Sequence, residues 1–405
     1  MPAIPTEGTM APWAWTKRVL VLCCALLGLA LALGMPFSFA WLYQSGDLAV
    51  ERAVEAQQEG FALYGPGWGL EDRQRLAYGI RLHAARKPAV LVLGSASAGQ
   101  FRQPLFSRPV VNMAGTASSL PELAAALDQA LAVHRPEVVL IGIDFWWFAP
   151  AWDAHPLRRA DLPAEGAGYL DGALRRPWQW LLQGRISLRQ FLSPLWLGMR
   201  KDRFGARAQC LGDGFGPDGS WHPFSLLKAA LPPEPGFAGA LRRLDARLGE
   251  FAPCPAGPGE AHVDAFADVY YRIKGRGMLP LVYLSPLASP LASRLKADPG
   301  AYRHLFGLKQ ALVARGIDLL DASAPETCGI QDCEFLDGLH MGEVASCRLL
   351  REFANARPEL LAYVDMERVS RTLNEWPGHA FVRDERIDPG FETDFLGLGC
   401  RKRTP

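Results

Sequence analysis

Ala89-Val90-Leu91-Val92-Leu93-Gly94-Ser95-Ala96-Ser97, residues 89–97, is the stretch that decides the fold. Its first five residues are apolar without a break, and glycine and serine then stop the run. A short, continuous apolar run of this kind fits a strand covered on both faces, as in a parallel sheet. The same signature recurs at 109–114, 138–143, 279–285 and 317–321. Amphipathic stretches separate these runs. Residues 119–136 read as a helix, with Ser119 and Glu122 spaced as a capping box and Pro136 closing it. Further helices are expected at 262–276, 300–314 and 342–358. Strands alternating with helices predict an α/β chain with a doubly wound parallel sheet, a three-layer α/β/α sandwich joined by right-handed crossovers.

Working outward, residues 44–87 form a polar, helical linker before a domain spanning 88–405. Within that domain, 149–258 is an insertion rich in Pro, Gly, Trp and Arg. An insertion that leaves the C-terminal end of a strand either builds a substrate wall or lid over the sheet edge, or docks the domain to what precedes it. The sequence leaves both readings open.

Upstream lies a run without any charged residue, Val19 to Tyr43. As a helix it would reach about 37 Å, enough to cross a hydrocarbon core of about 30 Å. Lys17 and Arg18 precede it while Asp47 and Glu51 follow, so residues 1–18 are expected in the cytosol and everything after Gln44 outside. Trp13, Trp15, Trp41 and Tyr43 stand where interfacial aromatic belts fall. A cleaved signal peptide ending at Ser38-Phe39-Ala40 is the alternative, and export follows from either.

The 405 residues are 49% hydrophobic and 21% charged, with a formal net charge of +1. That balance supports one large globular domain and argues against a nucleic-acid partner, which counterion release would hold through a basic excess. Cys210, Cys254, Cys328, Cys333, Cys347 and Cys400 follow the apolar segment, permitting up to three disulfides among 15 pairings. Cys328 and Cys333 are spaced to close a short loop. None has zinc-ligand spacing with histidine, and neither metal nor cofactor is expected.

In an open α/β sheet, chemistry collects at the C-terminal strand ends. Ser95 and Ser97 end strand one, Gly115 follows strand two, Gly142 and Asp144 end strand three, and Asp337 and His340 lie in the loop after strand five. Acyl transfer through serine needs a hydroxyl beside an imidazole, a carboxylate to fix that imidazole's tautomer, and donors facing the oxyanion. These residue types supply each part. Phe145-Trp146-Trp147-Phe148 reads as core packing beneath the insertion rather than a sugar platform. Arg102 reads as a partner for a nearby acid, and His134 and His304 as ordinary surface or core histidines.

The order glycine after strand one, glycine after strand two, Gly-x-Asx after strand three and Asp-x-x-His near the end resembles the SGNH/GDSL hydrolase superfamily. "VLGSASAGQFR", "VVNMAGTASSL", "LIGIDFWWF" and "LSPLASP" are similar to a bacterial membrane-anchored subgroup of it, over roughly 88–358. The resemblance implies a single-pass inner-membrane protein whose domain faces the periplasm. It implies a serine esterase or acyltransferase acting on acyl, especially acetyl, esters of a cell-envelope polysaccharide, with a membrane acyl-donor protein as a partner. Ser95, with Ser97 as substitute, would attack; His340 would move the proton; Asp337 would hold His340; backbone amides near Ser95 and Gly115 would stabilise the oxyanion. Two positions depart from the pattern. Ala96 occupies the nucleophile's place, and Asp144 stands where an asparagine usually donates to the oxyanion. The second reading is accordingly a degenerate domain of this type that binds glycan or scaffolds an envelope-assembly complex.

Overall fold

A computed structural model describes residues 12–48, 50–154, 172–196, 199–227, 235–384 and 392–402. The main sheet has five parallel strands in the order β3-β2-β4-β8-β9, with β2 at Val90–Gly94, β3 at Val110–Asn112, β4 at Val138–Ile143, β8 at Leu279–Leu284 and β9 at Leu319–Asp321. All five expected strands are present, each within a few residues of its expected bounds. Every residue of β2 and β4 is buried, so the continuous apolar runs do report strands covered on both sides. The register pairs Gly94 with Gly142 and Ile143 with Leu284, which aligns the C-terminal strand ends along one edge.

Helices close both faces. In chain order, those of seven or more residues among the described residues are α1 (Pro12–Ser45), α2 (Val50–Glu59), α3 (Glu71–Arg86), α4 (Leu120–Val133), α5 (Arg176–Leu182), α6 (Leu188–Trp196), α7 (Ala238–Asp245), α8 (Glu260–Gly275), α9 (Ser289–Ala297), α10 (Glu343–Ala356) and α11 (Met366–Glu375). Helix α4 buries Leu120, Leu123, Ala126, Leu127 and Ala130, one stripe at helical spacing. Each of its fully buried leucines contributes about 1.5–3 kcal/mol relative to exposure. On α10, Phe353 meets Tyr283 of β8 at a ring-centroid distance of 6.4 Å. The expected capping box of α4 is displaced by one residue. Ser119 makes no side-chain cap, and Glu122 instead accepts from the Ser118 N–H and hydroxyl at 2.7 and 2.6 Å. The expected helix at 300–314 divides at Gly307 into Arg303–Phe306 and Leu308–Val313.

A second, small sheet joins linker and insertion. Strand β1 (Leu63–Tyr64) pairs in parallel with β5 (Arg203–Phe204) and antiparallel with β6 (Gly214–Phe215), which pairs with β7 (Trp221–His222). Asp47 fastens the junction: its carboxylate is buried and accepts from the Gly67 and Ala206 amides at 2.7 and 2.9 Å and from the Ser45 hydroxyl at 2.6 Å.

The apolar stretch is one helix, α1, but its last turns belong to the folded domain. Phe37, Ser38, Trp41, Leu42 and Ser45 lie against the insertion; Trp41 packs edge-on to Trp180 at 5.6 Å, and the Trp178 indole N–H donates to Ser38 Oγ at 2.8 Å. Trp41 is therefore a core residue and not an interfacial one, and the expected membrane span over 19–43 is not supported: its last turns are packed into the domain. Among the described residues no helix is long and apolar enough to cross a membrane.

One disulfide is formed among the described residues, Cys333–Cys400. It replaces the Cys328–Cys333 loop considered from sequence, since Cys328 is buried with a free thiol. Lys402 seals the same corner, its ammonium donating to the Cys333 and Gly378 carbonyls at 3.1 and 2.8 Å.

Candidate active site

The order β3-β2-β4 means that the chain leaves β2 toward one side of the sheet and returns to its other side. Between the C-terminal ends of β2 and β4 lies the switch point, where such sheets bind ligands. Two glycines permit the close approach there. Gly94 has φ of +112°, and a Cβ on it would stand 2.0 Å from the Gly142 oxygen. A Cβ on Gly142 would stand 2.5 Å from the Tyr283 hydroxyl. The strand-terminal glycines are thus required by backbone packing.

A cavity of about 570 Å³ opens over this edge. The sheet side supplies Ala96, Gly99, Gln100, Gly115, Asp337 and His340. The facing wall comes from the insertion, through Arg207, Phe215, Trp221, Pro223, Phe237 and Arg243. Arg75 of α3 closes the floor, its guanidinium 3.6 Å from the Phe215 ring centroid and donating to the Ala114 oxygen at 2.7 Å. The insertion therefore fills both roles left open by sequence, building the wall of the cavity and docking α1.

Asp337 and His340 are brought together as expected. The loop 336–340 is pinched by the Leu336 N–H donating to the His340 carbonyl at 2.8 Å and by a bridge between Phe335 and Met341. His340 Nδ1 lies 2.7 Å from Asp337 Oδ2, while the Leu339 and His340 amides donate to Oδ1 at 3.1 and 2.9 Å. Nδ1 is taken, so Nε2 is the nitrogen left for the cavity. The pair opens onto the cavity, with 40% of the His340 and 56% of the Asp337 side chain accessible. The Asp337 carboxylate pushes the imidazole pKa up to about 9, against desolvation. Enclosure opposes ionisation of Asp337, but the imidazolium charge and the three hydrogen bonds outweigh it and hold its pKa down to about 2.

The serines are arranged otherwise than expected. Ser95 caps a 3-10 turn at Ala96–Gln100, its hydroxyl accepting from the Ser97 N–H at 3.2 Å. Both side chains are buried and tied into a hydroxyl chain: Ser95 Oγ to Ser97 Oγ at 2.6 Å, Ser97 Oγ to Ser285 Oγ at 2.7 Å, and Ser285 Oγ to the Ile143 oxygen at 3.0 Å. Neither serine lines the cavity. Ala96, between them, is exposed on its wall. The turn sends alternate side chains to opposite sides, so the residue without a hydroxyl is the one on the same wall as the dyad. The oxyanion donors also change. The Gly115 N–H donates to the Gly94 oxygen at 2.9 Å and the Ser95 N–H to the Gly142 oxygen at 3.1 Å, so both are engaged within the backbone.

Asp144 sits behind the serines, almost fully buried, with Oδ1 lacking a hydrogen-bond partner. Burial raises its pKa to about 6, although the Ser285 and Ser95 hydroxyls nearby favour the charged form. Ser285 was missed from sequence. It follows the end of β8, the strand-end position that singled out Ser95 and Asp144, and the same rule would have found it. The cavity's aromatic wall was missed too, because the small sheet that carries it rests on two-residue strands too short for any periodicity.

The remaining expectations resolve simply. Phe145, Trp147 and Phe148 are core residues, whereas Trp146 is partly buried against Trp152. Arg102 is paired with Glu343 at 3.1 Å, both buried. His304 is fully buried, and His134 Nε2–H donates to the Pro88 carbonyl oxygen at 3.0 Å. Among the described residues no cluster of three metal-ligating side chains occurs.

No family model matches the chain, and neither a curated protein nor a solved structure does.

Proposed function

We propose that this protein is an SGNH-hydrolase-like domain, tethered to the bacterial inner membrane, whose cavity binds an acylated cell-envelope polysaccharide without forming an acyl-serine. The observation that carries this reading is Ala96 on the cavity wall with Ser95 and Ser97 turned into a buried hydroxyl chain. A serine esterase needs its hydroxyl within hydrogen-bond reach of the imidazole. Both candidate hydroxyls are instead engaged with each other and with Ser285. A cavity of about 570 Å³ with an aromatic wall suits a sugar ring or an acyl chain, which stack on such surfaces.

One observation favours a second reading, an active esterase or acyltransferase. The Asp337–His340 dyad is complete, with Nδ1 held and Nε2 left to the cavity, the geometry of a general base once the imidazole is neutral. Such a base would take the proton of a bound water or sugar hydroxyl while that oxygen attacks the ester carbonyl, and return it to the departing alkoxide.

A fluorophosphonate probe separates the readings when intact mass and the modified peptide are read on the full chain. The binding reading expects no adduct on the wild-type protein. An adduct on Ser95 or Ser97 that disappears in His340→Ala would overturn it in favour of a working triad.

A further inference from the structure

The segment 172–201 stands out in a chain of net charge +1. It carries Arg175, Arg176, Arg185, Arg189, Arg200 and Lys201, with its acidic residues confined to the flanks at Asp171 and Asp202, the latter paired with Arg200 at 2.8 Å. The same segment forms the helical hairpin α5–α6, turning at Gly184 where φ is +67°. One side of the hairpin is anchored. Trp180, Ile186 and Phe191 are buried with Trp41 and Leu42 of α1, and Phe191 lies 4.9 Å from Phe37.

The other side presents large apolar groups to solvent. Leu182 is 86% exposed and Leu188 61%, with Arg185 and Arg189 exposed beside them. Burial would be the ordinary fate of two leucines at a helix-turn-helix tip, and nothing in the described chain covers them. The hairpin meets α1 at the level of Gly34 to Trp41: a Cβ on Gly34 would touch the Trp178 ring at 3.5 Å. Toward its N-terminus α1 continues as exposed apolar surface, with Leu33 and Met35 and then Val19 to Leu22 accessible. Trp178, one helical turn before Leu182, thus adjoins the place where α1 passes from packed to exposed residues.

We propose that the α5–α6 hairpin is a lipid-surface contact, laying Leu182 and Leu188 into the interface of an anionic bilayer with Arg185 and Arg189 on the headgroups. Apolar side chains flanked by arginine and tryptophan, on a short helix that is not itself long enough to span, are the composition of an interfacial segment. The charge chooses the occupant: a purely apolar protein partner would give no reason for exposed Arg185 and Arg189 beside the leucines of a hairpin, 172–196, that has no acidic residue, whereas an anionic headgroup layer does. Together with α1 the hairpin makes a two-point attachment. The cavity wall at Arg207 to Phe215 follows the hairpin in the chain, so the attachment fixes the height and orientation of the cavity above the lipid.

Hydrogen–deuterium exchange on the full chain in nanodiscs tests this. Peptides covering 182–189 should exchange more slowly in phosphatidylcholine:phosphatidylglycerol 3:1 discs than in phosphatidylcholine discs. Arg185→Gln/Arg189→Gln should lose about 30-fold of that protection, the effect of two charges at an anionic surface. Leu182→Asp/Leu188→Asp should abolish it. All four side chains are exposed, and unchanged exchange over 90–94 verifies that the variants fold. Equal exchange of 182–189 in both lipids overturns the proposal. So does protection in detergent that rises with protein concentration, which would assign the surface to a second copy. A chain that does not co-migrate with the anionic discs overturns it too.

Discussion

Ala96→Ser is the most informative perturbation, because it adds one oxygen between Ser95 and Ser97 on the cavity wall that carries the dyad. Room exists for it. Ala96 is exposed, and even a Cβ added at Gly115 across from it would stand 3.6 Å from the Ala96 Cβ. The fold should tolerate the change within about 0.5 kcal/mol, as for a surface substitution. The chemical effect should be large. Losing one member of a serine triad costs on the order of 10⁴-fold or more in rate, so supplying the missing one should raise labelling at least about 10³-fold. The pH dependence follows from His340. Only the neutral imidazole accepts a proton, and with its pKa raised to about 9 on the order of one molecule in a hundred is neutral at pH 7. Labelling of the variant should therefore climb about tenfold per pH unit from 6 and level off near pH 9. The assay is initial fluorophosphonate labelling across pH 6–10, with the peptide identified by mass and His340→Ala in the Ala96→Ser background as control. Absence of labelling on a well-folded variant would refute the placement of residue 96 beside the dyad. Labelling that survives His340→Ala would refute the role given to the imidazole.

Three further expectations follow from the same geometry. Asp337→Asn should bring the His340 pKa down from about 9 toward 6.5, read by NMR titration; in the wild type the imidazolium's stabilisation is complete below 6.5 and lost as pH rises through about 9. Asp144 is more protonated folded than unfolded between 3.8 and about 6, so stability falls as pH rises through that window; Asp144→Asn should match wild type below pH 3.8 and exceed it by up to about 3 kcal/mol at pH 8, measured as urea midpoints. Cys400→Ser opens a link spanning 67 residues and should cost about 4 kcal/mol, on the loop-entropy account of disulfides, by the same urea measurement.

The strand runs were legible because burial on both faces leaves a continuous apolar record that needs no knowledge of neighbours, and 138–143 was read to the residue. The dyad was legible because a carboxylate three residues before a histidine can close on it locally, through the Leu339 and His340 amides. Other features were not. The capping box was misplaced because Ser119 has the three-residue spacing to Glu122, whereas the carboxylate reaches one residue further back, to the N–H and hydroxyl of Ser118. The end of the apolar helix was misjudged because a uniformly apolar helix has no polar face to announce which turns dock; Trp41 reads alike against lipid and against Trp180.

By itself, then, the sequence determined the α/β class, the strand order's edge of chemistry and the Asp337–His340 pairing, all products of local pattern or short contacts. Tertiary structure alone decided which of Ser95, Ala96 and Ser97 looks into the cavity. That choice depends on how a 3-10 turn leaves β2 against β4 and β8, where Ser285, 188 residues from Ser97, draws the hydroxyls inward. It also decided the Cys333–Cys400 pairing and the cavity's far wall, because each joins segments that distance along the chain leaves uncorrelated.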